Sequence, residues 1–123
     1  MITGLAGVII YTAAARFPEM RSFYVDVLGL SPRSDRAGFV NFELGNQRLT
    51  ITVHSELGGP NRDPLHVMVN LATTDIEAVF ADAVDNGDRS LRPPEKEAWG
   101  GLVATLTDPD GNIVQLLQLP GLS

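Results

Sequence analysis

Two stretches of this chain carry the same apolar spacing. In residues 17–28, Met20, Phe23, Tyr24, Val27 and Leu28 fall at i, i+3, i+4, i+7 and i+8; in residues 75–86, Ile76, Val79, Phe80, Ala83 and Val84 repeat the pattern, each 56 residues on. That spacing gives a helix one apolar stripe. Each stretch follows an apolar run, Val8 to Tyr11 or Val67 to Leu71, and stops at a glycine, Gly29 or Gly87, beyond which the sequence turns strand-like. The chain therefore reads as two copies of one strand, helix, strands unit. A site built on such a duplication draws its groups from matched strands, so its candidates can be named from the spacing.

At 123 residues the two copies must share the resources of one ordinary domain, which buries about two thirds of the surface its unfolded chain exposes. A content of 44% hydrophobic and 20% charged residues is that of a globular protein, and no apolar stretch approaches the roughly 20 residues of a membrane span. The amino terminus, Met-Ile-Thr-Gly-Leu-Ala-Gly, lacks the basic start and cleavage pattern of a secretory signal. The expectation is a soluble, cytoplasmic protein with no membrane partner. Cysteine is absent, which excludes disulfides, thiolate metal sites and cysteine nucleophiles. A net charge of -6 argues against nucleic acid as a partner, since phosphates call for a basic field.

Local patterns fill in the units. Pro18 and Glu19 suit the first turn of a helix that runs to about Leu28, and Gly29 fits the left-handed position that closes it. Phe39 to Leu44 and Arg48 to His54 alternate in polarity around Gly45-Asn46, which is a β-hairpin signal. In its second arm Leu49, Ile51 and Val53 face one way, toward the helices, and Thr50, Thr52 and His54 the other. Ser55 to Pro64 is rich in turn formers. The expected organisation is module one over about 1–57, a linker over about 58–64 and module two over about 65–119. His66 to Leu71 reads as the first strand of the second module, with His66, Met68 and Asn70 on one face. Thr74 or Asp75 caps the next helix, and Pro93-Pro94 interrupts regular structure. Trp99-Gly100-Gly101 leads into Leu102 to Leu106, and Asp108-Pro109-Asp110-Gly111-Asn112 is a strong turn before a last strand from Ile113 to Leu119.

Phe23-Tyr24-Val25-Asp26-Val27-Leu28-Gly29-Leu30 and Thr107-Asp108-Pro109-Asp110-Gly111-Asn112-Ile113-Val114-Gln115-Leu116 together resemble the paired signatures of the vicinal oxygen chelate superfamily. That superfamily includes glyoxalase I, the bleomycin resistance proteins and extradiol dioxygenases. The resemblance covers nearly the whole chain and implies an α+β fold: two βαβββ modules forming a curved, cup-shaped mixed sheet with helices on the outer face, usually in a homodimer. It also implies a divalent metal held by His and Glu from the first and last strand of each module. Carried over, those ligand positions fall at Ile9, near Thr52, at Met68 and at Gln115. Mg, Mn, Fe, Ni and Zn want imidazole or carboxylate, so the expectation is no metal and no cofactor.

The expected ligand-binding residues are Ile9, Tyr11, Thr50, Thr52, His54, His66, Met68, Asn70, Trp99, Thr105 and Gln115, lining a pocket for a small apolar or aromatic molecule. Trp99 beside its glycines either stacks on a planar ligand or plugs the cup. Tyr11 shares a strand face with Ile9 and brings a hydroxyl. His54 and His66, the only histidines, would form a displaced metal site only with Gln115, Glu43 or Glu56, a poor set by ligand count. There is no Walker-type phosphate loop and no Gly-x-Ser-x-Gly elbow. The reading is metal-independent binding or sequestration, with catalytic residues unknown. Its rival is a metal-dependent lyase, isomerase or dioxygenase of the same superfamily with an altered metal site. A metal-free catalyst using Tyr11 or His66 as acid or base, and a structural dimer with a filled cup, are further alternatives.

Overall fold

The computed structural model describes residues 1–87 and 89–121. The chain divides into two compact units, Met1–Pro60 and Asn61–Ser123. The first holds β1 (Gly7–Thr12), a 3-10 turn (Ala14–Arg16), α1 (Phe17–Ser22) prolonged by a π-helical turn (Phe23–Val27), β2 (Ser34–Arg36), β3 (Phe39–Leu44) and β4 (Gln47–Val53). The second holds a 3-10 turn (Pro64–His66), β5 (Met68–Ala72), α2 (Ile76–Gly87), β6 (Ser90–Lys96), β7 (Leu102–Thr107) and β8 (Ile113–Gln118). Each unit forms one four-stranded sheet, ordered β1-β4-β3-β2 and β5-β8-β7-β6. First and last strands pair in parallel, and the other pairs are antiparallel. The fold is α+β with two βαβββ modules.

In the first unit the apolar stripe becomes the core. Met20, Phe23 and Tyr24 are buried, with the Tyr24 ring 5.0 Å from Phe23 and 6.5 Å from Phe42 on the sheet. Val40, Phe42, Leu49 and Ile51 supply the facing sheet surface, and each large side chain buried there contributes about 1.5–3 kcal/mol. The helix ends in a wide turn: the Leu28 N–H donates to Phe23 O at 2.9 Å and the Leu30 N–H to Tyr24 O at 3.0 Å. Gly29 at φ 73° then reverses the chain, a conformation that favours glycine.

In the second unit Asp75 is the helix cap. Its Oδ1 accepts from the Ala78 N–H at 3.2 Å, while Gln118 Oε1 on β8 accepts from the Ile76 N–H at 2.8 Å. Helix α2 is thus fastened at its start to the sheet it covers. The Asp108 turn is centred on one buried carboxylate. Asp108 Oδ1 accepts from the N–H groups of Asp110 and Asn112 at 3.0 and 2.9 Å, and Oδ2 accepts from the Asn112 side-chain amide at 2.8 Å.

Two local expectations are corrected. His66 is not on a strand: Asp63 and Pro64 open a 3-10 turn that contains it, and β5 begins at Met68. Pro93-Pro94 does not end regular structure, because both prolines lie within β6. Strand β6 is an edge of its sheet, where a missing N–H need cost no ladder bond, and the pairing with β7 shifts register between Arg92 and Glu95.

Candidate functional site

Strand alternation gives each sheet one face toward its helix and one away from it. In the first unit Ile9 and Tyr11 lie on the helix-distal face, in register with Thr50 and Thr52 respectively. Ile9 is 55% exposed and Tyr11 47%, whereas Thr50 is nearly buried. The row through Tyr11 and Thr52 continues to Phe39 and Arg36. Thr52 Oγ1 donates to Gly38 O at 3.1 Å, and the Arg36 guanidinium sits 4.1 Å from the centre of the Phe39 ring. His54 follows β4, its N–H donating to Thr12 O at 3.0 Å. Its ring meets Tyr11 edge-on at 5.1 Å, and its Nδ1 accepts from the Glu56 N–H at 3.1 Å. Tyr11, His54 and Phe39 therefore give this face three aromatic rings beside the polar side chains of Thr50, Thr52, Asn41 and Arg36.

The second unit's helix-distal face lacks those rings and mixes apolar with amide and hydroxyl groups. Met68 and Asn70 lie helix-distal on β5, opposite Ile113 and Gln115. Gln115 pairs in turn with Thr105, and Thr105 with Arg92. Arg92 Nη2 lies 2.7 Å from Glu97 Oε1 and 3.2 Å from Glu95 Oε2. Glu97 first, and Glu95 second, hold the Arg92 proton more tightly than usual. In a regular strand, residues three apart point to opposite faces. The bulge at Pro93-Pro94 removes that opposition and brings Arg92 and Glu95 onto one side.

Trp99 occupies the turn between β6 and β7. The Glu97 N–H donates to Gly101 O at 2.8 Å and the Gly100 N–H to Glu97 O at 2.9 Å. A side chain at Gly101 would overlap the Trp99 ring, so the ring rests on bare backbone while remaining 54% exposed. His66 is exposed, with Nε2 3.1 Å from Asp63 Oδ2.

The first unit thus brings together Ile9, Tyr11, Thr50, Thr52 and His54, and the second Met68, Asn70, Thr105 and Gln115. Thr52 lies two residues beyond the register partner of Ile9, and Gln115 two beyond that of Met68, so both modules set these positions on the same diagonal. The donor set there does not fit a divalent metal: Ile9 has no donor atom, Met68 offers only a thioether, and the Thr52 hydroxyl is directed at a backbone oxygen. Glu43 is ion-paired to Arg33 at 3.2 Å. Among the described residues no group of three or more His, Cys, Asp or Glu is placed to hold a metal ion. Arg36, Phe39 and Arg92 were not among the site candidates named from sequence. The alternation Phe39-Val40-Asn41 could have exposed Phe39, but Arg92 depends on a bulge that local pattern does not reveal.

Among the described residues no helix is long and apolar enough to cross a membrane. The model of the Glyoxalase/Bleomycin resistance protein/Dioxygenase superfamily matches residues 11–116. A bleomycin resistance protein of Klebsiella pneumoniae is 29% identical over 119 residues, covering 87% of this chain and 90% of that protein. A glyoxalase-related enzyme from Fulvimarina pelagi superposes with a TM-score of 0.75 at 16% identity, covering 96% of this chain and 89% of that one. A lactoylglutathione lyase from Agrobacterium tumefaciens superposes with a TM-score of 0.69 at 15% identity, covering 96% and 95%. At such identities the structural likeness speaks for the fold alone.

Proposed function

Because this chain belongs to the Glyoxalase/Bleomycin resistance protein/Dioxygenase superfamily, we propose that it binds and sequesters a small apolar or aromatic molecule on its helix-distal strand faces, without a metal ion. The observation that carries this reading is the matched diagonal: Ile9 and Thr52 in one module, Met68 and Gln115 in the other, where the superfamily resemblance places metal ligands. Apolar, hydroxyl and amide groups at those positions suit contact and hydrogen bonding with an organic ligand. The exposed rings of Tyr11 and Trp99 add planar surface. At those four positions the metal-dependent lyase or dioxygenase alternative lacks the imidazole and carboxylate donors it needs. The likeness to a bleomycin resistance protein runs the same way. In this reading the protein is one cytoplasmic domain of two modules joined by a linker over about 58–64, and it works as a homodimer.

A thermal-shift screen of aromatic and apolar compounds tests the reading. A ligand at 100 times its Kd stabilises the fold by about 2.7 kcal/mol, on the order of 10 °C in Tm. Tyr11→Ala and Trp99→Ala should each shrink that shift. The reading is lost if no compound stabilises the protein and neither variant changes any response. Sedimentation that gives a monomer at all concentrations would remove the dimer.

A further inference from the structure

One lateral row of side chains crosses the helix-distal face of the second module. Asn70 on β5 is in register with Gln115 on β8, Gln115 with Thr105 on β7, and Thr105 with Arg92 on β6. Strands lie about 5 Å apart, so the row spans roughly 15 Å, the length of a small organic molecule. The side chains of Asn70, Gln115 and Thr105 have no hydrogen-bond partner among the described residues. Both carboxylate contacts of Arg92 fall on Nη2, and among the described residues no hydrogen bond uses its Nε or Nη1. Four groups able to hydrogen-bond therefore stand in line with capacity left over.

Charge decides what they suit. Arg92 carries one positive charge and faces two carboxylates, Glu95 and Glu97, so the cluster at the end of the row is net negative by one. A carboxylate or phosphate placed there would meet repulsion. A carbonyl oxygen would take the free guanidinium, amide and hydroxyl donors without it. Gln115 and Asn70 each offer one carbonyl and one amino group, the arrangement that pairs reciprocally with another amide. We propose that this row selects an uncharged ligand bearing a carboxamide or lactam edge, with Gln115 as the specificity-determining residue and Arg92 as the outer donor. The inference rests on the ligand-binding reading above and narrows its chemical class.

Benzamide, benzoate and benzylamine test it, since they share one ring and differ in head-group charge. Each is titrated into the 15N-labelled protein at neutral pH. Benzamide should give saturable shifts at the backbone amides of Asn70, Thr105 and Gln115 and at the side-chain amides of Asn70 and Gln115. Its Kd should lie about five-fold below that of benzoate, the ratio worth one screened like-charge contact. Benzylamine, which lacks the carbonyl, can pair only with the Glu95 and Glu97 carboxylates and should leave the side-chain amides of Asn70 and Gln115 unshifted. Gln115→Leu should abolish the benzamide shifts with the remaining spectrum and Tm retained, and Arg92→Lys should weaken them. The inference is overturned if benzamide gives no saturable shift in the row, if benzoate binds as tightly, if benzylamine shifts the Asn70 and Gln115 side-chain amides as benzamide does, or if Gln115→Leu has no effect. Head-group-independent shifts confined to Tyr11, His54 and Trp99 would overturn the amide selectivity while leaving the binding reading standing.

Discussion

Asp108 gathers three donors around a carboxylate that is fully buried, and the turn before β8 closes on it. Hydrogen bonds to a charged group contribute about 1.5–3 kcal/mol each, and donors stranded by its loss add a desolvation cost. Asp108→Ala should therefore lower stability by about 3 kcal/mol, partial hydration of the freed donors offsetting the rest. Urea unfolding checks this, and a loss below about 0.5 kcal/mol, the scatter of ordinary surface substitutions, would contradict it. Gly101 has the opposite character, since its importance lies in what it lacks. Gly101→Ala must push the Trp99 ring off the backbone. Trp99 emission should shift to the red with easier quenching by iodide; an unchanged spectrum would show that the ring does not depend on this glycine. The Asp108 turn was legible in sequence because its chemistry is local. The seat of Trp99 was not, because a ring over bare backbone leaves no periodic signal.

At the scale of elements, edge strand β2 is tied to α1 by Arg21 Nε donating to Asp35 Oδ1 at 2.9 Å. The hydrogen bond from Arg21, more than its charge alone, lowers the Asp35 pKa below the usual carboxylate value. A carboxylate with a depressed folded pKa lends stability above its unfolded pKa of about 3.9, and that contribution is lost as pH falls through the folded value. Asp35→Asn should thus lower Tm at pH 6, with the gap to wild type closing in acid below pH 4. A gap constant with pH would refute the linkage. Element boundaries followed their local signals where periodicity was strong, as in both helices and the β3–β4 hairpin. They failed where two signals competed. His66-Val67-Met68-Val69-Asn70 alternates like a strand, yet Asp63 and Pro64 bend its first residue into a turn. Pro93-Pro94 breaks most strands, yet an edge accommodates it. That same bulge aligns Arg92 with Glu95, so the polar row was illegible without the register.

For the whole molecule, the duplicated architecture was readable because both copies keep one helix stripe and one turn chemistry. The candidate positions were readable only through the resemblance, since Ile9, Thr52, Met68 and Gln115 share no composition of their own. Their chemistry makes a direct prediction: calorimetric titration with Zn, Mn or Ni should show no stoichiometric uptake. Uptake at one ion per chain, abolished by Gln115→Ala, would reverse that conclusion.

The parallel pairing of first and last strands also imposes an order in time. Strand β1 emerges from the ribosome well before its partner β4, since the residue opposite Gly7 is Arg48. At about 5–20 residues per second, several seconds pass before that ladder partner exists. Through that interval an apolar strand has both edges unpaired, a state prone to non-native association. The second module repeats the delay, because β5 waits for β8. Each half of the molecule thus closes with its last stretch of chain, and a nascent protein halted inside β4 or β8 would carry an orphan strand for a chaperone to hold.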